Sequence, residues 1–349
     1  MTILAADMPD LIAVTLPQLG RMKFQQIYQD LQEFEVMGKW LKKSNVKVKE
    51  NGVAVHENIM IGDATSSAAH TGYMDEDSTD IQDVMKTLKV DWKHIQTKWA
   101  VVYQTDILMN SGESEIVNLI KTRRCKAMID LAQEFEDKAF GAVPATDDEV
   151  SSYGLKYWIV QNATTGFHGG APSGYTTVGN LNPTSLSRWR NFSGTYSGVV
   201  TKLGAIKTLR KAARQCGWKS PVQVPDYMSS ANNGQKYRLY VNETTISEIE
   251  DVGENQNENL GKDIASMDGT IVFRKHPIIW IPKLDADTNN PIYFINHDTF
   301  KVCVLKGDFL REGKAEKAPN QHNVFQTFVD TTYQYLCDDR RRNAVIYQA

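Results

Sequence analysis

Phe24, Ile27, Tyr28, Leu31 and Phe34 recur at three- and four-residue intervals in KFQQIYQDLQEFEVM, the spacing that lines apolar side chains along one helix face. The pattern predicts a short amphipathic helix at the end of an extended arm, residues 1–37. The period then shortens to two. Val46 and Val48 alternate with Lys47 and Lys49, and Asn51-Gly52 separates them from Val53 and Val55. Both turn residues tolerate positive φ, so a β-hairpin across Asn51-Gly52 is expected. Residues 63–83 are polar, with Asp75, Glu76, Asp77, Asp80 and Asp83 clustered, and read as a long exposed loop. The β-branched and aromatic run VDWKHIQTKWAVVYQTDIL predicts one or two strands after it.

The clearest helix covers 112–140: Ser111 is placed to cap it, Glu113 and Glu115 suit its first turn, and Gly141 closes it. Its apolar stripe is Ile116, Ile120, Ala127, Leu131, Phe135 and Ala139. Such a helix is roughly 40 Å long at 1.5 Å per residue, so it must lie across other structure as a spine. Beyond Pro144, Gly, Asn, Ser and Thr dominate, with Tyr157, Trp158, Phe167, Trp189 and Phe192 as anchors of a loop-rich segment. A second helix is expected over about Thr201 to Cys216, with Leu203, Ile206, Leu209 and Ala213 inward and Lys207, Lys211 and Arg214 outward. Residues 218–310 alternate short strands and turns around a short helical TTISEIEDV, which reads as a separate α/β subdomain. The chain returns as the long strand VFQTFVDTTYQYLC, the charged turn DDRRRN and a last apolar strand.

Composition narrows the chemistry. Of 349 residues, 41% are apolar and 23% charged, near the globular average, which argues against general disorder. The balance of 39 basic and 42 acidic residues gives −3, with no basic excess for sequence-specific nucleic-acid binding. Cys125, Cys216, Cys303 and Cys337 share no C-x-x-C spacing and fit neither a zinc site nor a disulfide scaffold. No stretch approaches the ~20 apolar residues of a membrane span, so no membrane role is expected. His168-Gly169-Gly170 lacks an accompanying G-x-S-x-G, which favours a tight glycine turn over an oxyanion loop. The seven histidines share no metal-ligand spacing, and neither a phosphate-binding glycine loop nor H-E-x-x-H occurs. No enzymatic activity, metal or cofactor is expected. Asp338 and Asp339 beside Arg340, Arg341 and Arg342 read as a solvated hairpin tip.

The order of arm, projecting hairpin, long spine helix, inserted α/β subdomain and final long strand resembles the tailed-bacteriophage major capsid proteins of the Hong Kong 97 fold. The phrases YQTDILMNSGESEIVNLI, YWIVQNATTGFHGGAPSG, RWRN and APNQHNVFQTFVDTTYQYLCDDRRRNAVI carry the same resemblance, which covers nearly the whole chain. It implies an α+β fold with an N-terminal arm (1–37), an extended loop (38–98), a peripheral domain (99–195 and 311–349) and an axial domain (196–310). It implies a shell protein that assembles as hexamers and pentamers around double-stranded DNA, held non-specifically, in a virion capsid built in the host bacterial cytoplasm. Scaffolding, portal and decoration proteins are the implied partners. The chain begins too close to the arm to hold a scaffolding segment, so the resemblance implies a cleaved or separate scaffold.

Two assembly contacts follow as expectations. Asp338, Asp339, Arg340, Arg341 and Arg342 would meet charged groups of adjacent capsomers, the arginines binding their acids through planar guanidinium forks. Lys42, Lys43, Lys47 and Lys49 would face Asp75, Glu76 and Asp77 of a neighbouring subunit. The alternatives are an encapsulin-like nanocompartment shell, and an enzyme or carbohydrate-binding module with a pocket around Trp158 and Trp189.

Overall fold

A computed structural model describes residues 34–41, 45–50, 52–61, 70, 72–74, 85–108, 113–218, 237–257, 271–274 and 276–349. The helix expected over 24–34 and most of the polar loop 63–83 lie outside them. Four strands, β1 (Val46–Lys49), β2 (Ala54–Met60), β3 (Met85–Asp91) and β4 (Lys93–Val102), precede the spine helix α1 (Glu113–Phe140). The one-turn α2 (Leu155–Trp158), β5 (Gly166–Gly169), β6 (Asn191–Tyr196), α3 (Ala205–Gln215), β7 (Tyr237–Val241) and α4 (Glu243–Asn257) follow. The later strands are β8 (Val272–Phe273), β9 (His276–Trp280), β10 (Ile292–Asn296), β11 (Phe300–Leu305), β12 (Arg311–Glu312), β13 (Glu316–Lys317), β14 (Val324–Cys337) and β15 (Ala344–Gln348).

β14 organises the first sheet. One edge pairs antiparallel with β4, from Val324 opposite Val102 to Tyr333 opposite Lys93. Its other edge is taken in succession by β11, β12 and β13, and β1 joins in parallel beyond β11. Alternate residues are buried from Val324 to Thr332, then every residue from Tyr333 to Cys337. The alternation marks a strand covered on one face, and the continuous run marks the part covered on both.

The second sheet has the order β5-β6-β15-β10-β7-β9-β8. Leu209, Ala212 and Ala213 of α3 pack on one face with Leu239, Val241, Phe294 and Ile346. Tyr240, Tyr293, Ile295 and Val345 point from the other face into a core shared with Phe135 and Phe140 of α1 and Tyr333 and Tyr335 of β14. The layers are therefore helices, second sheet, common core, and spine helix with first sheet.

Three expectations change. Asn51-Gly52 does not close a hairpin between β1 and β2: β1 lies beside β11, with Val46 opposite Val302, while β2 pairs with the distant β3. Beside β11, β1 gains a ladder against the buried Val302, Cys303 and Val304, which an isolated two-stranded hairpin does not offer. Gly52 still takes a positive φ of 120° as the chain turns away. The second helix starts at Ala205, and Leu203, ahead of its first turn, is 84% exposed rather than inward. Sheet membership also crosses the drawn domain bounds, because β5, β6 and β15 share a sheet with β7 to β10, whereas β11 belongs with β14. The spine helix matches its predicted span to within a residue, and Ile120, Ala127, Leu131, Phe135 and Ala139 are buried as its stripe requires.

Candidate assembly surfaces

DDRRRN is a crossover, not a hairpin tip. β14 enters it from the first sheet and β15 leaves it in the second. Arg340 turns inward and is completely buried. Its Nε donates to the Trp158 carbonyl at 2.7 Å, Nη1 to the Trp189 carbonyl at 2.8 Å, and Nη2 to the Gly170 carbonyl at 2.6 Å and Asn191 Oδ1 at 3.1 Å. The guanidinium also lies 5.8 Å from the Trp189 ring centroid. Burial pulls its pKa down to about 10, which leaves it charged at neutral pH.

Arg340 is thus unavailable to a neighbouring subunit, which corrects its expected interface role. The reason is the fork itself, whose planar donors satisfy converging carbonyls from three otherwise separate loops. A pocket around Trp158 and Trp189 is excluded by the same geometry. Both rings are buried, and their indole nitrogens donate to the carbonyls of Tyr335 and Val178 at 3.0 Å each. His168-Gly169-Gly170 also finds its reason here: a Cβ on Gly169 would sit 2.2 Å from Asn191 Oδ1. Glycine is what lets the Asn191 side chain, and through it Arg340, come this close.

The neighbouring charges divide by exposure. Asp339 caps the turn by accepting from the Arg341 backbone N–H at 2.9 Å. The Arg341 guanidinium stacks 4.2 Å from the Phe167 centroid, and Arg342 pairs with Asp339 at 3.5 Å with both side chains about half exposed. Asp338 meets Lys47 of β1 at 3.5 Å, and Lys47 also pairs with Glu57 of β2 at 2.9 Å. Lys49 pairs with the same carboxylate. Burial opposes ionisation of Glu57, yet the hydrogen bonds from Lys47 and Lys49 outweigh it and hold its pKa below the usual range. Asp338 goes the other way, because burial outweighs the attraction of Lys47. Lys47 and Lys49 thus have partners in their own chain, which hold β2 near β1 without a backbone ladder. Lys42, Lys43, Asp75, Glu76 and Asp77 lie outside the described residues.

β2 and β3 form a two-stranded arm. Its root is in the core, where Ala54, Val55, Leu88 and Val90 are buried, and its far end pairs Met60 with Met85, 83% and 63% exposed. Tyr73 and Met74 beyond it are also exposed. A two-stranded ribbon with apolar side chains at its open end buries too little to stand alone.

A second charged junction escaped sequence reasoning. Glu35, just before the turn Val36–Trp40, is buried and accepts from Arg238 of β7 and from Tyr240 Oη at 3.2 Å. Glu136 of α1 accepts from the Val36 backbone N–H at 2.9 Å. Tyr240 Oη lies 2.8 Å from His297 Nε2 and accepts from the Trp40 indole at 2.8 Å. Burial raises Glu35 and pushes Glu136 up to about 7, with help from Glu35, while burial and the Arg238 charge hold His297 down to about 3. The only sequence signal was polar residues inside apolar runs, Arg238 in YRLYV and His297 after PIYFIN. Among the described residues, no group of three or more His, Cys, Asp or Glu is placed to hold a metal.

No protein-family model and no curated protein matches the sequence. Solved structures do. The chain is similar to a capsid protein of cyanophage A-1(L), with a TM-score of 0.65 at 12% identity over 93% of this chain and 95% of that one. A capsid protein of an empty GTA particle matches with a TM-score of 0.55 at 12% identity over 93% and 100% of the two chains. One from the mature capsid of bacteriophage PhiM1 gives 0.54 at 10% identity over 94% and 90%. The fold is that of phage capsid proteins, α+β and of the Hong Kong 97 type.

Proposed function

We propose that this chain is the major shell-forming subunit of a tailed-phage capsid, a structural protein without a catalytic step, which assembles as hexamers and pentamers around double-stranded DNA. The observation that carries the reading is the end-to-end likeness to phage capsid chains, which covers 93–94% of this chain and 90–95% of theirs. The projecting arm supports it. Met60 and Met85 lack apolar cover in a single copy, and a neighbouring subunit of a shell supplies it.

In this reading the exposed part of the crossover, Asp339 and Arg342 with Arg341 and Asp338 behind them, faces adjacent capsomers. Lys42 and Lys43 meet Asp75, Glu76 and Asp77 of the next subunit. Exposed pairs of this kind contribute only ~0–1 kcal/mol each, and their repetition over a shell makes them sufficient. A scaffold, a portal and decoration proteins are further partners, the site of assembly is the host cytoplasm, and the mature protein resides in the virion.

Velocity sedimentation followed by electron microscopy of the purified full chain tests this, with and without co-expressed neighbouring genes. Closed shells, or free hexamers and pentamers, are expected. A folded monomer that assembles under no condition would overturn the proposal.

A further inference from the structure

Two helices share one face of the second sheet and carry opposite charge. Leu209, Ala212 and Ala213 of α3 and Ile246 and Ile249 of α4 belong to one apolar layer on that face. α3 packs against β6 and β15, and α4 against β9 near the far edge. Away from the sheet α3 exposes Lys207, Arg210, Lys211 and Arg214, spaced as one helix face, and α4 exposes Glu243, Glu250 and Asp251. α3 contains no acidic residue and α4 no basic one.

Among the described residues, no ion pair engages either stripe. Lys207, Arg210, Lys211 and Arg214 stand three and four residues apart and repel one another, so the basic stripe weakens its own helix unless opposite charge comes from outside. The stripes match in length, about 10 Å from Lys207 to Arg214 and about 12 Å from Glu243 to Asp251 at 1.5 Å per residue. Each also has an exposed apolar side chain at its head. Leu203 precedes α3 and is 84% exposed. Trp280 is 46% exposed and donates through its indole to Asp285 at 3.0 Å, and the same carboxylate accepts from the Glu243 backbone N–H at 2.8 Å. An apolar anchor beside a charged rim is the usual anatomy of a protein contact.

We propose that the basic face of α3 on one copy docks on the acidic face of α4 on the next copy, a head-to-tail contact that repeats around a ring. The proposal rests on the shell-forming reading and names the surface that reading leaves open. Different patches in contact, related by a rotation that closes, generate a ring, and opposite charge on the two patches fixes register and suppresses wrong pairings. A polyanion on α3 would use the basic stripe alone. The matched acidic stripe and Trp280 favour a second copy.

Three full-length variants test it beside the parent chain: Lys207→Glu/Arg210→Glu/Lys211→Glu/Arg214→Glu, Glu243→Lys/Glu250→Lys/Asp251→Lys, and both sets together. Thermal melting confirms that each folds, and sedimentation with electron microscopy reads assembly. Each single-stripe reversal is expected to lower the yield of rings and shells at least about tenfold. The combined reversal restores it, and co-expressing the two single-stripe variants restores six-membered rings, in which alternate copies match. If a multiple variant fails to fold, Arg210→Glu and Glu250→Lys are paired in the same way.

Normal assembly of every folded variant would overturn the proposal. So would a combined reversal that assembles no better than the single-stripe ones. Loss of bound DNA with assembly unchanged would assign the α3 stripe to a polyanion instead. A parent chain that never assembles would sink the shell reading and this contact together, and the parent control separates that case from the others.

Discussion

Arg340 and Glu136 are both buried charged side chains, and the fold treats them in opposite ways. Arg340 is a cation surrounded by neutral dipoles, with carbonyls from the Trp158, Gly169–Gly170 and Trp189 loops turned toward its fork. Glu136 is an acid beside another acid, with the Val36 backbone N–H donating to it and the Glu35 carboxylate nearby. The first site is satisfied and stays charged at neutral pH. The second holds a proton more tightly than a free carboxyl does. One crossover ties the two sheets together permanently; the other junction holds the segment after the arm to the spine helix and second sheet with a strength that depends on pH.

Removing Arg340 should be the most damaging change. Arg340→Met keeps much of the volume but strands several buried carbonyls, and a loss of about 4 kcal/mol is expected in chemical denaturation. Arg340→Lys should recover little of it, because a single ammonium cannot reach acceptors spread around a planar fork. A loss below about 1 kcal/mol for Arg340→Met would erase the contrast between the two sites.

The Glu136 junction should reveal itself through pH. Its folded pKa of about 7 exceeds the unfolded value, so the folded state holds the extra proton, and the stability linked to Glu136 is complete below about 4.5 and lost as pH rises to 7. His297 has the opposite sign: held near 3, it contributes stability that is present above about 6.5 and lost as pH falls toward 3. Between about 4.5 and 6.5 the two slopes cancel in the parent chain. Glu136→Gln should therefore be more stable than the parent at pH 8 by about 3 kcal/mol, and lose that advantage by pH 4.5. His297→Asn should show the reverse slope, gaining on the parent as the solution is acidified. Parallel stability curves for parent and variants would remove the second half of the comparison.

Gly179 sharpens the picture at the root of the arm. Its φ is +61°, and an added Cβ would lie 2.1 Å from Leu88 Cδ1 and 3.1 Å from the Trp158 ring. Gly179→Ala is expected to cost about 2 kcal/mol in equilibrium unfolding, since both backbone and packing oppose it. The smallest effect belongs to Arg342→Ala. Its half-exposed pair with Asp339 should contribute less than about 1 kcal/mol. Two arginines two residues apart would then differ severalfold in effect, purely by the direction in which each side chain leaves the crossover.

Periodicity and end signals placed the spine helix and the long final strand, because a 3.6-residue or two-residue rhythm of burial is written directly into the order of side chains. The absence of catalytic signatures and the near-neutral charge were equally legible, as was the likeness in element order to phage shell proteins. Pairing was not legible. Nothing local distinguishes β1 beside β11 from β1 folded onto β2 across Asn51-Gly52, since the choice turned on a buried edge contributed by residues some 250 positions away. The charge knot was misread for the same reason. Asp338 to Arg342 look alike as a string of charges, but exposure is a property of what surrounds a side chain, and only the convergence of the Trp158, Gly170 and Trp189 loops made Arg340 the one that turns inward. Glu35 and Glu136 became a junction only when the turn after Glu35 met the spine. The sequence determined which segments form helices and strands and how much apolar surface each must hide. Tertiary structure decided which charges were taken out of water, because that depends on distant backbone groups that meet only once the chain has folded.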